Sequence, residues 1–350
     1  MKEKEITIYD IAEHLKISTA TVSRGLKDHP AISQKTKKRI LEAAKEMGYQ
    51  TNLYASNLRR QKSNTIGVIV PRLNSSFMSD SLAGMEKVAN SEGYNLIITQ
   101  SLETEKKEIL NATTLFNNRV DALVVSLSYD TKSMTHFEPF LKKKIPVLFF
   151  DRVFTHKECS TIVIDNYKAA YDITSHLISQ GCKKLLHVTG SLSRNVYYER
   201  FEGFKQALKD HNIPFEEEES LISNNLTPED GQDVACSILK MTSKPDGVFV
   251  ASDLCAANIM VELKKNGIKI PSDIAFAGFN NDPYSKLVEP GLTTIDYKGY
   301  EIGELAIQIM INQINHLQNM TMTQNIVLGH ELIIRQSSLR HKSKIKKYHE

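Results

Sequence analysis

The spacing of apolar residues is helical from the start of the chain to about residue 50. The stretch "TIYDIAEHLKISTATVSRGL" at 7–26 reads as two short helices, interrupted at Lys16 and Ile17, with Ser18 as the N-cap of the second helix. A third helix is expected after a cap at Ser33. The residues expected to point inward from this third helix are Ile40, Leu41, Ala44 and Met47. Helices joined by such a tight break predict a helix-turn-helix.

A different pattern begins at residue 65, where short apolar runs alternate with amphipathic stretches. Runs rich in Val, Ile and Phe are typical of parallel strands buried on both faces. These runs are "TIGVIV" (65–70), "YNLIIT" (94–99), "DALVVSL" (121–127), "PVLFF" (146–150) and "STIVI" (160–164), with helices expected at 80–92 and 106–118. The alternation predicts a doubly wound parallel sheet.

The same alternation is then repeated. Further strands are expected at "KKLLHVTG" (183–190), "DGVFVAS" (246–252) and "DIAFAGF" (273–279), with helices at 198–211, 228–241 and 254–266. A late helix at 300–317 and a last strand, "HELIIR" at 330–335, complete the pattern. The fold class is therefore α/β, with two similar doubly wound lobes that follow an all-α helix-turn-helix headpiece. A crevice between such lobes binds ligands at the carboxyl ends of their strands.

Charge is distributed unevenly along the chain, although the net charge is only +3. Residues 1–62 hold 13 Lys and Arg against 7 Asp and Glu, and residues 339–350 hold 5 against 1. The remaining 26 basic and 33 acidic residues give the middle of the chain a net charge of −7. A basic head on an acidic body indicates that the head binds a polyanion.

Several classes of function lack their usual sequence signals. No secretory signal begins the chain, and no apolar run approaches the ~18 residues of a membrane span, so we expect a cytoplasmic protein. The four cysteines form no C-x-x-C, so neither a metal site nor a disulfide framework is expected. Phosphate-binding glycine motifs and the G-x-S-x-G nucleophile elbow are also missing, so neither a cofactor nor catalysis is expected.

The second helix of a helix-turn-helix enters the major groove of DNA. Its outward residues here are Thr19, Ala20, Thr21 and Arg24. Ala20 carries no hydrogen-bonding group and can contact only a thymine methyl, so direct readout depends on Ser18, Thr19 and Arg24. The basic segment "KTKKR" at 35–39 is expected to contact phosphates.

This headpiece resembles that of the lactose-repressor/galactose-repressor (LacI/GalR) family of bacterial transcription factors, whose pattern is close to T-I-x-D-V-A-x-x-A-G-V-S-x-x-T-V-S-R-x-L-N. The resemblance continues in register over nearly the whole chain, through "TIGVIVP", "FFDR", "ERFEGF", "ASD", "IPSDIAFAGF", "LTTID" and "HELIIRQSS". One departure is Lys16, which replaces the family's usual Gly in the break. A periplasmic sugar-binding protein shares the two-lobed fold, but the basic headpiece and the absence of a signal peptide argue against that alternative.

The resemblance implies a repressor-like regulator that binds pseudo-palindromic operator DNA, associates with the nucleoid and controls carbohydrate-utilisation genes. It implies a headpiece at 1–50, a hinge helix and linker at 51–62, a two-lobed effector-binding and dimerisation domain at 63–338, and a basic tail at 339–350. Lobe 1 is expected at about 63–163 plus 293–322, and lobe 2 at about 164–292 plus 323–338. The implied DNA-binding residues are Thr7, Ser18, Thr19, Ala20, Thr21, Ser23, Arg24, Tyr49, Asn52, Ala55 and Leu58. Leu58 corresponds to the family's minor-groove wedge.

Family members bind a small effector, usually a sugar or sugar derivative, between the lobes. The implied effector-binding residues are Phe77, Met78, Asp151, Arg152, Arg194, Arg200, Leu226, Ser252, Asn280 and Tyr297. Ser252 and Asn280 stand where Asn and Asp are frequent in the family. The exchange at Asn280 removes one carboxylate while up to three Arg remain, so we expect a ligand that bears a carboxylate or phosphate. The tail "RHKSKIKKYHE" has no leucine heptads, so a homodimer is expected rather than a tetramer.

Overall fold

A computed structural model describes residues 6–49, 62–215, 220–223, 225–316 and 323–340. The chain divides into two compact units, one formed by Met1–Ser63 and the other by Asn64–Glu350. The three hinge positions expected to contact DNA, Asn52, Ala55 and Leu58, lie outside the described residues, as does most of the expected tail.

The first unit contains the expected helices: α1 (Ile8–Leu15), α2 (Thr19–Leu26) and α3 (Gln34–Glu46). Ser18 and Ser33 are the N-caps of α2 and α3, as predicted, and their hydroxyl oxygens accept hydrogen bonds from the backbone N–H groups of Thr21 and Thr36. Each cap satisfies an N–H group that has no partner within its helix. Ile11, Val22 and Ile40 are fully buried between the helices.

One expectation for α3 was wrong, and another is narrowed at a single residue. Leu41 was expected to point inward but is 54% exposed, because the buried stripe of the helix runs instead through Lys37, Ile40, Ala43 and Ala44. Lys37, within the segment expected to contact phosphates, is buried, and its ammonium lies 2.6 Å from the Asp28 carboxylate. Its charge therefore has a partner inside the headpiece.

The first lobe of the second unit is built on a parallel sheet. Its elements in chain order are β1 (Thr65–Val70), α4 (Ser76–Ser91), β2 (Asn95–Gln100), α5 (Glu105–Asn117), β3 (Ala122–Val125), a 3₁₀ turn (Thr135–Phe137), α6 (Glu138–Lys142), β4 (Val147–Phe150) and β5 (Ser160–Ile164). The strand β11 (Asn325–Leu328) pairs in parallel with β5, and the sheet order is β11-β5-β4-β3-β1-β2. Segment 323–338 was expected in lobe 2, but this pairing places part of it in lobe 1.

The strands β1, β3 and β4 are buried on both faces, as predicted from their unbroken apolar runs. The strand β2 differs from that expectation. It lies at the edge of the sheet, and Ile98 remains 41% exposed. An edge strand has a neighbour on one side only, so part of its surface stays open.

The second lobe repeats the plan with a smaller sheet in the order β7-β6-β8-β9. Its elements are α7 (Asn166–Ser179), β6 (Leu185–Thr189), α8 (Asn195–Asp210), β7 (Ser220–Ile222), α9 (Pro228–Lys240), β8 (Gly247–Val250), α10 (Asp253–Lys265), β9 (Ala275–Ala277) and α11 (Tyr284–Leu287). The chain then returns through β10 (Thr294–Asp296), α12 (Gly299–His316), β11 and β12 (Glu331–Ile333). The antiparallel pair β10–β12 forms part of the connection between the lobes.

Close packing against α12 fixes the middle of α4, whose first residues line the cleft described below. A Cβ atom at Gly84 would lie 2.1 Å from the Tyr300 carbonyl oxygen, and one at Gly303 would lie 2.0 Å from the Ser81 carbonyl oxygen. Only glycine fits where the backbones of α4 and α12 approach so closely. This contact anchors α12 to lobe 1.

Among the described residues, no helix is both long and apolar enough to cross a membrane. Within the same part of the chain, no cluster of His, Cys, Asp and Glu side chains is arranged to hold a metal ion.

Candidate functional site

The carboxyl ends of strands from both lobes face a single cleft in the second unit. Asp151 follows β4, Ser252 follows β8, and Asn280 follows β9. They enclose a cavity of about 180 Å³. Because one water molecule needs roughly 10–15 Å³ of such space, the cleft has room for about 12 to 18 water-sized groups, which is the scale of a small sugar.

Nine of the ten effector-binding residues expected from the sequence line this cleft. They are Phe77, Met78, Asp151, Arg152, Arg200, Leu226, Ser252, Asn280 and Tyr297. Arg194 does not line it. Arg194 precedes α8, and its guanidinium donates a hydrogen bond to the Thr131 carbonyl of lobe 1. It therefore joins the lobes beside the cleft.

Asp151 is the most buried carboxylate of the lining. Its Oδ1 accepts a hydrogen bond of 2.9 Å from the Tyr297 hydroxyl, and its Oδ2 accepts one of 3.2 Å from the Ser126 hydroxyl. Burial raises the pKa of Asp151, while the neighbouring Arg152 and Arg200 oppose that shift. The backbone of Asp151 is left-handed, with φ 59°, a strained conformation of the kind that clusters at binding sites.

Arg200 is a buried cation that faces the cleft from lobe 2. Its Nε donates a hydrogen bond to the Asn166 side-chain oxygen at 2.9 Å, and its Nη1 donates one to the Ala251 carbonyl at 3.2 Å. Its guanidinium lies 3.6 Å from the centre of the Phe279 ring. Burial lowers the pKa of Arg200. These contacts hold the planar guanidinium in one orientation, where its remaining N–H groups can donate to a ligand.

An apolar wall lies beside these charges. The rings of Phe77 and Tyr297 are stacked with centroids 4.3 Å apart, and the neighbouring Met78 is buried. Such a surface packs against the C–H face of a sugar ring. Ser252, by contrast, caps α10 through a hydrogen bond from the backbone N–H of Cys255.

Several lining residues were missed by the sequence analysis. They are Arg72, Glu103, Tyr129, Tyr197 and Asp282. Arg72, Glu103 and Tyr129 follow the carboxyl ends of β1, β2 and β3, so the strand-end rule could have found them. Nothing local in the sequence marks Tyr197, whose hydroxyl meets that of Tyr129 at 2.7 Å across the cleft.

The proposed DNA-reading residues occupy the exposed side of the headpiece. Ala20 and Arg24 are exposed on α2, while Thr19, Thr21 and Ser23 are partly exposed. The Ser18 hydroxyl lies 2.8 Å from that of Thr21, so both also take part in capping. Thr7 caps α1 and donates a hydrogen bond to Asp10 at 2.6 Å. Tyr49 packs against the headpiece core.

Comparisons with known proteins match both units of the chain. The model described as "Bacterial regulatory proteins, lacI family" matches residues 7–52. The model described as "Periplasmic binding proteins and sugar binding domain of LacI family" matches residues 63–336.

Similar proteins are named as regulators rather than as enzymes. Catabolite control protein A of Priestia megaterium is 28% identical over 335 residues, which are 95% of this chain and 99% of that protein. The HTH-type transcriptional regulator RegA of Clostridium saccharobutylicum is 31% identical over 337 residues, with the same coverage. The lac repressor dimer bound to operator and the anti-inducer ONPF has the same fold, with a TM-score of 0.84 at 21% identity over 96% of this chain and 100% of the repressor chain.

Proposed function

Because the chain belongs to the LacI family of bacterial regulatory proteins, we propose that its headpiece reads an operator and that a carbohydrate-like ligand in the cleft controls operator affinity. The observation that carries this proposal is the cleft itself. A buried carboxylate, a fixed guanidinium and a stacked aromatic wall face one cavity in a chain that also carries a helix-turn-helix. A cytoplasmic location with access to the nucleoid is part of the same proposal.

The residues proposed to contact the ligand have complementary roles. The Asp151 carboxylate accepts hydrogen bonds from ligand hydroxyls, and the Arg200 guanidinium donates to neighbouring ligand oxygens. The Phe77 and Tyr297 rings pack against the apolar face of the ligand. A ligand that contacts both lobes shifts the equilibrium between open and closed forms by no more than its preference for one of them.

In the headpiece, we propose that Arg24 donates to a base edge in the major groove and that Ala20 contacts a thymine methyl. Family members bind DNA as dimers, so that two headpieces meet the two halves of a pseudo-palindromic site. The sequence assigns Leu58 to the centre of that site, and this assignment stays a prediction.

Fluorescence anisotropy with the DNA upstream of the protein's own gene tests the proposal. Operator affinity is measured with and without each member of a sugar panel, for the wild type, Arg24→Ala and Asp151→Asn. We expect Arg24→Ala to weaken operator binding by about 1–3 kcal/mol while leaving ligand binding intact. We expect Asp151→Asn to weaken the effect of the sugar while leaving operator binding intact.

Two results would contradict the proposal. One is equal affinity of the wild type for the upstream DNA and for a scrambled duplex of the same length. The other is a sugar that binds the cleft but leaves operator affinity unchanged. Lys209→Ala, at the end of α8, serves as a control that changes a charge away from both sites.

A further inference from the structure

We propose that Glu103 is a specificity-determining residue of the cleft, where its carboxylate neutralises Arg152 and Arg72 so that the site selects uncharged polyhydroxyl ligands over their acidic analogues. This inference rests on the proposed function, since it concerns the ligand of the same cleft.

Glu103 is held firmly at the wall of the cleft. Its side chain is 9% exposed. Its Oε2 lies 2.7 Å from Arg152 Nη1 and also accepts a hydrogen bond of 3.2 Å from the Tyr129 backbone N–H. Its Oε1 lies 3.7 Å from Arg72 Nε. The backbone of Glu103 is left-handed, with φ 62°, which a non-glycine residue adopts only when its surroundings stabilise it.

Arg152 is consequently already bound to an anion of the protein. Besides Glu103, its Nη1 faces the Leu127 carbonyl at 3.3 Å, and its Nη2 faces the Tyr197 hydroxyl at 3.4 Å. Its guanidinium also stacks 4.1 Å from the centre of the Tyr129 ring. An incoming carboxylate or phosphate that paired with Arg152 Nη1 would compete with Glu103 for it, and the displaced buried anion would lose its partner.

The charges that line the cleft are balanced. The cations are Arg72, Arg152 and Arg200, and the anions are Glu103, Asp151 and Asp282. The expectation of an acidic ligand counted Arg152, Arg194 and Arg200 and did not include Glu103 or Asp282. With Arg194 outside the lining and these two acids inside it, the excess of positive charge disappears. The geometry therefore favours a neutral ligand.

The substitution Glu103→Gln tests this role, because it keeps the size of the side chain and an oxygen acceptor while removing the charge. It leaves Arg152 and Arg72 without the carboxylate that contacts both of them, so that their guanidinium groups can bind an oxyanion in its place. Inorganic phosphate is the first probe. By isothermal titration calorimetry on the full chain, we expect Glu103→Gln to bind phosphate at least about tenfold more tightly than the wild type.

The matched control is Glu301→Gln, which removes the same charge from the same body. Glu301 lies 3.9 Å from Lys298 in an exposed ion pair. We expect this variant to bind phosphate as weakly as the wild type. Equal phosphate affinity in all three proteins would overturn the proposal, as would tight phosphate binding by the wild type. Circular dichroism shows whether Glu103→Gln is folded. If it is not, the phosphate affinity of the wild type still tests the proposal.

The second probe is a set of matched pairs: glucose with glucuronate, galactose with galacturonate, and ribose with ribose 5-phosphate. Wherever the wild type binds a pair, we expect the neutral member to bind at least about tenfold more tightly, and Glu103→Gln to reduce or reverse that preference. A wild-type preference for the acidic member, or an unchanged preference in Glu103→Gln, would overturn the inference. Neither outcome contradicts the proposed function. That proposal fails only if ligand binding does not change operator affinity, or if operator binding is not sequence-specific.

Discussion

Lys16 forms the turn between α1 and α2 in a backbone conformation that is unfavourable for a lysine. It ends α1 with φ 52° and ψ 45°, in the left-handed region that glycine adopts freely. For other residues this conformation costs roughly 1–2 kcal/mol, partly offset because glycine loses more backbone freedom on folding. The turn therefore forms without the family's usual glycine, but at a cost to headpiece stability.

We predict that Lys16→Gly stabilises the headpiece by about 0.5–1 kcal/mol, since relief of the strained backbone exceeds the added chain entropy. Hydrogen exchange on the full chain measures this as slower exchange of the α1 and α2 amides. Lys16→Ala keeps the strain and removes only the side chain, so it should not slow exchange. Unchanged exchange in Lys16→Gly would show that the left-handed lysine is not strained.

His187 is a buried residue whose surroundings change the pKa of its imidazole. It is fully buried on β6, stacks on Phe204 and Phe249, and its Nδ1 donates a hydrogen bond to the Phe249 carbonyl at 3.0 Å. Within the part of the chain that the structure describes, its Nε2 has no partner. Burial lowers the pKa of His187 to about 3.

The sign of the resulting pH dependence follows from the proton balance. Between pH 6.5 and 3 the unfolded chain protonates this imidazole while the folded chain keeps it neutral, so stability falls as the pH falls. From pH 7 to pH 5 the loss from this group is about 2 kcal/mol. Asp253 and Asp282, whose pKa values burial raises to about 8 and about 6, contribute with the opposite sign.

We therefore predict that His187→Leu loses about 2 kcal/mol less unfolding free energy between pH 7 and pH 5 than the wild type. Urea titrations at both pH values measure this difference, and the contributions of the two aspartates cancel in the comparison. Parallel pH profiles for the two proteins would mean that His187 accepts a proton in the folded state.

Among the helices and strands, the sequence predicted those whose apolar residues follow a clear local period. The strands β1 and β5 match the predicted ranges because unbroken β-branched runs define them. The strands β7, β10 and β11 were missed because their pairing depends on segments distant along the chain. The helix α7 was missed because polar residues, Asn166, Thr174 and His176, interrupt its buried face. Nothing in a local pattern could have paired Glu103 with Arg152, since 49 residues separate them.

The two edges of the lobe 1 sheet differ in a way that bears on dimer formation. Beside the edge strand β2 lies a group of exposed apolar residues, which we call the β2 patch: Leu73, Ile98, Leu102, Ile109 and Leu110. On the opposite edge strand, β11, Val327 is 61% exposed, and it is the single large exposed apolar residue among the described residues of that strand. Extended exposed apolar patches mark interaction surfaces.

We predict that the β2 patch is covered by the partner subunit. Ile98→Lys together with Leu110→Lys should convert the dimer to a monomer, because a buried unpaired charge is strongly unfavourable. The measurement is light scattering coupled to size exclusion, with operator affinity as a second readout. Val327→Lys is the matched control on the other edge and should remain dimeric. A dimeric double variant would exclude the β2 patch from the interface.

At the scale of the whole body, polar contacts join the lobes beside the cleft. The Asn195 side-chain oxygen accepts a hydrogen bond of 3.0 Å from the Val153 backbone N–H, and its Nδ2 donates one of 3.0 Å to the Asp151 carbonyl. Arg72 donates to the Asn225 side-chain oxygen at 3.1 Å, also across the cleft. Asn195 does not itself line the cavity, so its replacement weakens the contact between the lobes without removing a side chain that faces the ligand.

Asn195→Ala therefore tests closure with every side chain of the cleft lining still present. Each hydrogen bond contributes about 0.5–1.5 kcal/mol to the closed form, so their loss favours the open form. We predict that a carbohydrate which contacts both lobes binds the variant up to about tenfold more weakly, because part of its binding free energy must now close the cleft. Isothermal titration calorimetry measures this change, with Asn266→Ala at the exposed end of α10 as the control.

Thermodynamic linkage between the two binding sites provides a second test with Asn195→Ala. The factor by which the carbohydrate changes operator affinity must equal the factor by which the operator changes carbohydrate affinity, in the wild type and in Asn195→Ala alike. If closure carries the coupling, Asn195→Ala changes both factors together, although it touches neither ligand. Four titrations on each protein measure the two factors. If Asn195→Ala weakened carbohydrate binding and left both factors at their wild-type values, the signal to the headpiece would have to pass by a route other than lobe closure.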